Sequence, residues 1–200
     1  MRWLARPFVR LGRSVRKRLA VALDIPMPLD TPDRRFLEDK VFPFLNAAPQ
    51  AGGELLFIGV AVYTRHYYRM LRYRVRTLDF DPRVARYGAE GRHIVGSATD
   101  LDRHYGPEFD VIVANGLIGY GLDDRADFER VMAQCHACLR DRGLLVIGYN
   151  DNARHLDFSL RDTEGYRLFE EFVPPIEGVQ TPALKVNPDN DHTFVFLRRR

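Results

Sequence analysis

Between residues 54 and 149 short apolar runs alternate with stretches of helical length, and this rhythm constrains the fold more than any other feature. The runs at 54–60, 74–80, 92–95, 110–115 and 143–149 read as buried strands. Helical candidates lie between them near 64–72, 82–89, 99–105 and 124–140. Strands that alternate with helices are joined by crossovers, which predicts a parallel sheet covered on both faces. Upstream, Pro26, Pro28 and Pro32 separate an N-terminal segment (1–30) from a domain at 31–200. Thr31 and Pro32 suit the cap and first position of a helix reaching about Asn46, and Pro49 with Gly52-Gly53 closes it. After residue 150 the rhythm changes. A polar loop (150–164) precedes a strand-like YRLFEEFV (166–173), a proline-bearing stretch and a final HTFVFLRR (192–199). The last two are expected to pair as an antiparallel hairpin at the sheet edge. Pro174, Pro175, Pro182 and Pro188 are expected to stiffen the 173–191 loop into part of a lid.

Charge is unevenly placed. Residues 1–20 hold seven basic side chains and no acid, so the other 180 carry 23 basic and 27 acidic groups. The basic balance thus belongs to the tail, and the body gives no signal for nucleic acid. Within the tail, Leu4, Phe8, Leu11, Val15, Leu19 and Ala22 follow helical spacing, with arginines on the far side. Such a segment is expected to dock on the domain or stay disordered, or else to lie on an anionic membrane or a polyanion. No apolar run approaches the roughly 18 residues that span a bilayer. Cys135 and Cys138 sit within a predicted helix with no second pair, so they read as packing residues rather than metal ligands. Two cysteines in this chain build no disulfide framework, and a reducing cytoplasm is the expected compartment. Asp123-Asp124 suits the start of the 124–140 helix.

The first strand runs into LLFIGVAVYT (55–64), where a nucleotide-binding α/β protein places its glycine-rich turn, yet Gly59 is the one glycine present. Twenty residues after Gly59 the second strand ends in LDFDP (78–82). A carboxylate there takes hydrogen bonds from ribose hydroxyls. Asp79 closes the apolar run and is the better candidate; Asp81-Pro82 looks like the cap and first turn of the next helix. The third strand runs into VGSATDL (95–101), the fourth into FDVIVANGLIGYG (109–121), and LRDRGLLVIGYND (139–151) follows.

In this order the pieces resemble the class I S-adenosylmethionine-dependent methyltransferases over about residues 50–150. The resemblance implies a Rossmann-like, doubly wound α/β fold: a mostly parallel seven-stranded sheet with an antiparallel last strand and helices on both faces. It implies S-adenosyl-L-methionine as cofactor. Gly59 matches the first glycine of the cofactor loop, with Ala61 and Tyr63 in place of the second and third. Asp79 matches the ribose-binding acid, and Ser97 and Ala98 the adenine-recognising pair. Asn115 falls at the end of strand four, facing cofactor and substrate. Phe57 stands where the family often has an acid.

A dinucleotide needs its pyrophosphate cradled by backbone N–H groups. S-adenosylmethionine has no phosphate, so this turn argues more strongly against NAD(P) than against the sulfonium cofactor. The implied activity is methyl transfer to a small-molecule or membrane-presented acceptor, in which alignment supplies most of the rate. Asn115 and His155 are the catalytic candidates, His155 as a base where the acceptor must lose a proton. Tyr120, Tyr149, Asn150 and Asp151 form the expected substrate wall, and His66 reads equally as a packing residue. Two rivals stand beside this reading. One is a non-catalytic module that keeps the fold as a partner subunit; the other is a nicotinamide-dependent enzyme.

Overall fold

The computed structural model describes residues 23, 25, 27–118, 122, 124–152 and 156–200. The N-terminal amphipathic pattern, Asp123, Tyr120 and His155 lie outside them. Five strands run parallel: β1 (Glu54–Ile58), β2 (Arg74–Asp79), β3 (His93–Val95), β4 (Phe109–Asn115) and β5 (Leu139–Asn150). Three further strands, β6 (Phe169–Glu171), β7 (Ala183–Asn187) and β8 (His192–Arg199), complete one sheet in the order β3-β2-β1-β4-β5-β8-β6. β8 is antiparallel to β5, and β6 and β7 each pair with the far side of β8. The expected seven-stranded sheet is therefore present with its outer position shared by two short strands.

Three expectations about the C-terminal part need correction. The final strand is not at the edge but between β5 and the β6/β7 pair. YRLFEEFV opens in a helical turn (Glu164–Arg167), and only Phe169–Glu171 is strand. The 173–191 stretch is not all loop, because Ala183–Asn187 pairs with β8. The apolar alternation of Leu184 and Val186 is short and is hidden by the nearby prolines, which tolerate strand edges.

One face of the sheet carries helix α1, in which Pro32–Phe36 and Phe42–Ala47 are joined by a π-helical turn, Leu37–Val41. Its Leu37, Val41, Phe42 and Leu45 are buried against Leu55, Phe57, Val111, Val113, Val146, Phe194 and Phe196. The short helix α2 (Tyr67–Met70) packs on the same face through Tyr67, whose ring meets Phe42 and Phe57 edge-on. Phe57 is thus a core residue. The other face carries helix α3 (Arg125–Cys138), capped by Asp124, whose side chain accepts the Asp127 N–H at 2.7 Å. Phe128, Val131, Met132, Cys135 and Cys138 recur at helical spacing and bury against Leu56, Ile112, Leu145 and Ile147. Burial of Phe128, Val131 and Met132 contributes about 1.5–3 kcal/mol each. Both cysteines are free and buried.

The remaining crossovers are tighter than the sequence predicts. Pro82–Tyr87 and Ala98–Arg103 are 3₁₀ turns rather than α-helices. Pro82 and the chain's turn at Gly88 bound the first, and Asp100 departs from helical φ/ψ inside the second. Among the described residues no helix is long and apolar enough to cross a membrane.

Candidate functional site

Strand order reverses between β1 and β4, and ligands in such sheets bind beyond the carboxyl ends of the strands at that point. A cleft of about 380 Å³ lies there. On one side it is lined by Gly59, Val60, Ala61, Tyr63, Asp79, Phe80, Gly96 and Ala98; Asn115, Gly116, Leu117, Asn150 and His192 form the other. Thr31, Asp33 and Arg34, at the start of α1, close the end.

The first side is built by backbone. Gly59 has φ +87°, a conformation that only glycine adopts without strain, and it turns the chain out of β1. Three consecutive N–H groups then donate inward. Gly59 N–H goes to Leu78 O at 2.9 Å, Val60 N–H to Asp79 Oδ2 at 2.8 Å, and Ala61 N–H to Thr64 Oγ1 at 3.0 Å. Thr64 returns its hydroxyl to Ala61 O at 3.0 Å, so it fastens the turn rather than capping a long helix. Asp79 also accepts the Asp81 N–H through Oδ1 at 2.9 Å. Asp81 caps the following turn by accepting the Arg83 N–H, as expected from Asp81-Pro82. Tyr63 lines the wall, with the Arg34 guanidinium 4.8 Å above its ring centre. Phe80 presents an exposed ring in the cleft.

The second side is built by side chains from three neighbouring strands. Strand alternation puts Asn115 in phase with Val111 and Val113, Asn150 with Leu144 and Val146, and His192 with Phe194 and Phe196. All three therefore point to the α1 face at the cleft end of the sheet. The His192 ring has Nδ1 at 2.8 Å from Asn150 Oδ1 and Nε2 at 3.1 Å from Asn115 Oδ1. Gly148 makes this possible: a Cβ there would sit 2.0 Å from Asn115 Oδ1 and 2.9 Å from Phe194 Cε1. Burial pushes the His192 imidazole down to about 4, although Asp33 draws it up. Asn115 Nδ2 is buried with no partner in the protein.

At the closed end, Asp33 accepts from Asn187 Nδ2 at 2.9 Å and sits 3.5 Å from Arg34 Nε. Burial raises its carboxyl, but the hydrogen bonds from Asn187 and Thr31 and the Arg34 charge outweigh this and hold it below the ordinary value. Both residues are buried, so a charged pair borders the cleft.

The same alternation separates the expected substrate residues. Tyr149 points to the opposite face, buried among the α3-side residues, where desolvation drives its phenol far above its ordinary value. Asp151 is exposed and does not line the cleft; its N–H donates to Asp191 O at 3.0 Å. Asn150 alone of that trio reaches the cleft. Ser97 is not in the lining either: its hydroxyl caps the 3₁₀ turn, 2.8 Å from Thr99 Oγ1, while Gly96 and Ala98 face the cleft. His66 sits 3.3 Å from Glu38 Oε1 beneath α1, away from the cleft. His192, Asp33, Arg34 and Phe80 were missed by sequence reading. Phe80 follows Asp79 directly and was within reach; His192 depends on β8 register, which no local signal carries. Among the described residues no group of His, Cys, Asp or Glu is arranged to hold a metal ion.

No protein-family profile matches the chain, and none of the curated proteins matches it. Solved structures do. The chain is similar to a TehB-like SAM-dependent methyltransferase from Corynebacterium glutamicum (19% identity, TM-score 0.61), over 97% of this chain and 100% of that one. The N-methyltransferase NodS from Bradyrhizobium japonicum, in complex with S-adenosyl-L-homocysteine, superimposes with TM-score 0.64 at 16% identity, over 85% of this chain and 89% of its own. The 1,6-didemethyltoxoflavin-N1-methyltransferase of Burkholderia thailandensis gives TM-score 0.55 at 17% identity, over 78% and 75%. The chain has the fold of the class I S-adenosylmethionine-dependent methyltransferases.

Proposed function

We propose that this chain binds S-adenosylmethionine in the cleft and transfers its methyl group to a small-molecule acceptor. The observation that carries the reading is the turn after β1. Its three N–H groups, at Gly59, Val60 and Ala61, are consumed within the protein. They are not available to cradle a pyrophosphate, and α2 starts too late and is too short to offer an N-terminal dipole. A ligand without phosphate suits this turn. The solved structures with that fold include two whose bound S-adenosylhomocysteine is the product of such a reaction.

The residues present fit the cofactor. Asp79 has about four lone-pair positions, of which two serve Val60 and Asp81, leaving capacity for a ribose diol. The exposed Phe80 ring offers a stacking face for a purine. Arg34 offers a counter-charge for the carboxylate of an amino-acid end. S-adenosylmethionine supplies a methyl group on a sulfonium, a good leaving group. In such a transfer the acceptor's lone pair would form the new bond to carbon as the carbon–sulfur bond broke and its electrons passed to sulfur. Holding the acceptor in line is then the protein's main contribution, and Asn115, at the end of β4 in the lining of the cleft, is the residue proposed to face it.

Calorimetric titration of the full chain with S-adenosylhomocysteine tests this. Binding is the expected result. No binding at high ligand concentration would favour the non-catalytic partner reading, and NADH binding in its place would favour a nicotinamide enzyme.

A membrane-presented acceptor at a cytoplasmic face is a narrower form of the proposal, supported by the basic amphipathic sequence of residues 1–20. Co-sedimentation with anionic liposomes, compared between the chain and its Arg2, Arg6, Arg10 and Arg13→Gln variant, checks it. Equal sedimentation of the two would sink the idea.

A further inference from the structure

We propose that the outer edge of the sheet, around β2 and β3, is a docking face for an anionic phospholipid surface, carried by Arg69, Arg72, Arg86 and Arg92. The docking face stands on charge and placement. That it brings the cleft to a membrane-presented acceptor rests on the methyltransferase reading.

Positive charge is concentrated at this edge. Residues 65–92 hold eight of the 23 basic groups of residues 21–200, against three of their 27 acids. Two of those acids are engaged: Asp79 accepts the Val60 and Asp81 N–H groups, and Asp81 pairs with Arg83 at 2.8 Å. Arg74 and Arg76 both reach Glu54, and Arg76 also reaches Glu108 at 3.0 Å. Arg69, Arg72, Arg86 and Arg92 remain. All four are exposed, and among the described residues none has a carboxylate within ion-pair distance. Arg103, Arg130, Arg142 and Arg167, also exposed but elsewhere on the domain, each have one. A paired arginine is largely neutralised by its own partner, so the unpaired ones dominate the field that a polyanion meets.

The fold gathers the four. β3 is the outermost strand on this side of the sheet. Arg72 and Arg92 lead into β2 and β3, Arg69 lies in α2, and Arg86 lies in the 3₁₀ turn between the two strands. The Tyr68 hydroxyl donates to Tyr87 O at 3.0 Å, joining α2 to that turn beside Arg69 and Arg86. A recess of about 470 Å³, lined by Arg65, Arg86, Glu90 and Gly91, continues the surface toward Arg92. Glu90 is the one acid in that lining. The Arg86 guanidinium is held over the Tyr87 ring, 5.0 Å from its centre.

Neighbouring apolar surface favours a bilayer over a free polyanion. Phe80 is 66% exposed and Val95 47%, both at the carboxyl ends of the same two strands. The register Asp79↔Val95 places Phe80 next to the end of β3. Basic side chains beside exposed apolar ones form the pattern of an interfacial surface. Phe80 also lines the cleft, so a bilayer docked here lies at its mouth.

The test is partition of the full chain onto phosphatidylserine-containing vesicles and onto pure phosphatidylcholine vesicles. Each arginine at an anionic surface strengthens binding about fivefold. Replacing Arg69, Arg72, Arg86 and Arg92 by Gln should therefore lower partition onto the anionic vesicles about a hundredfold or more at low salt. The control removes the same formal charge from paired positions, with Arg103, Arg130, Arg142 and Arg167 replaced by Gln, and should change partition far less. Partition unchanged in the first variant, or equal losses in the two, would overturn the proposal. So would a wild-type chain that ignores vesicles and binds single-stranded RNA through the same four arginines. None of the four lines the cleft, so S-adenosylhomocysteine affinity should be unaltered in the first variant. If the wild-type chain fails to bind that ligand, the methyltransferase reading falls while the vesicle result still decides the docking face.

Discussion

The two sides of the cleft are made in different ways. The β1–β2 side is a backbone construction: Gly59, Val60 and Ala61 donate their N–H groups to Leu78, Asp79 and Thr64, none more than about one strand connection away. The β4–β5–β8 side is a side-chain construction, joining Asn115 to a histidine 77 residues later. Backbone constructions tolerate changes of side chain so long as φ/ψ and hydrogen bonding survive. That explains how Ala61 and Tyr63 occupy positions where the resembling family has glycine. A side-chain construction depends on the identity of every member and on the space between strands.

Substitutions on the two sides should expose this contrast. The largest effect is expected from Asp79→Ala, which removes the acceptor that holds the turn and, with it, the proposed ribose contact. S-adenosylhomocysteine affinity should fall about a hundredfold, about 3 kcal/mol, in calorimetry; an unchanged affinity would break the assignment of this side. Gly148→Ala forces a Cβ into Asn115 and Phe194 and should cost about 2–3 kcal/mol in urea unfolding. It should also release His192 from Asn115, visible as a changed ring spectrum.

A third effect comes from pH. The folded-state value of His192 lies below the ordinary 6.5, so the unfolded chain binds the proton more tightly. The stability present above about pH 6.5 is lost as pH falls toward 4. His93 and His136, also lowered by burial, act in the same direction. Urea unfolding should show roughly 2 kcal/mol less stability at pH 5 than at pH 7 from His192 alone, and His192→Asn should flatten that dependence. The smallest effect belongs to Gly59→Ala. The nearest atom to a new Cβ is Leu117 Cδ2 at 3.4 Å, an ordinary contact, so only the positive φ is strained. A cost of about 1 kcal/mol is expected in the same unfolding assay. A larger loss would show that the turn is as demanding of side-chain space as the opposite wall.

Much of the fold was legible because apolar periodicity reports which residues are buried, and burial here follows the sheet. All five parallel strands were read within a few residues of where they lie. The C-terminal strands were harder. Prolines around Ala183–Asn187 hid a short edge strand, and nothing local indicates that β8 enters the middle of the sheet. At the site, Gly59 and Asp79 were legible because a turn and the strand end it meets are linked by one short crossover. Tyr149 and Asp151 were misplaced although period-two alternation already forbids Tyr149 and Asn150 from facing the same way.

By itself the sequence determined the alternating α/β architecture, the sharp turn at Gly59, the acid at Asp79 and the poor fit of that turn to a pyrophosphate. These follow from local rules: spacing, backbone conformation and the reach of one side chain to the next strand. Only the tertiary structure decided that Asn115, Asn150 and His192 meet, that Asp33 and Arg34 close the cleft, and that Ser97 and Tyr149 turn away from it. The physical reason is register. Which residue of β8 stands opposite Asn150 is set by packing summed over the whole antiparallel pair, and no stretch of sequence near His192 encodes it.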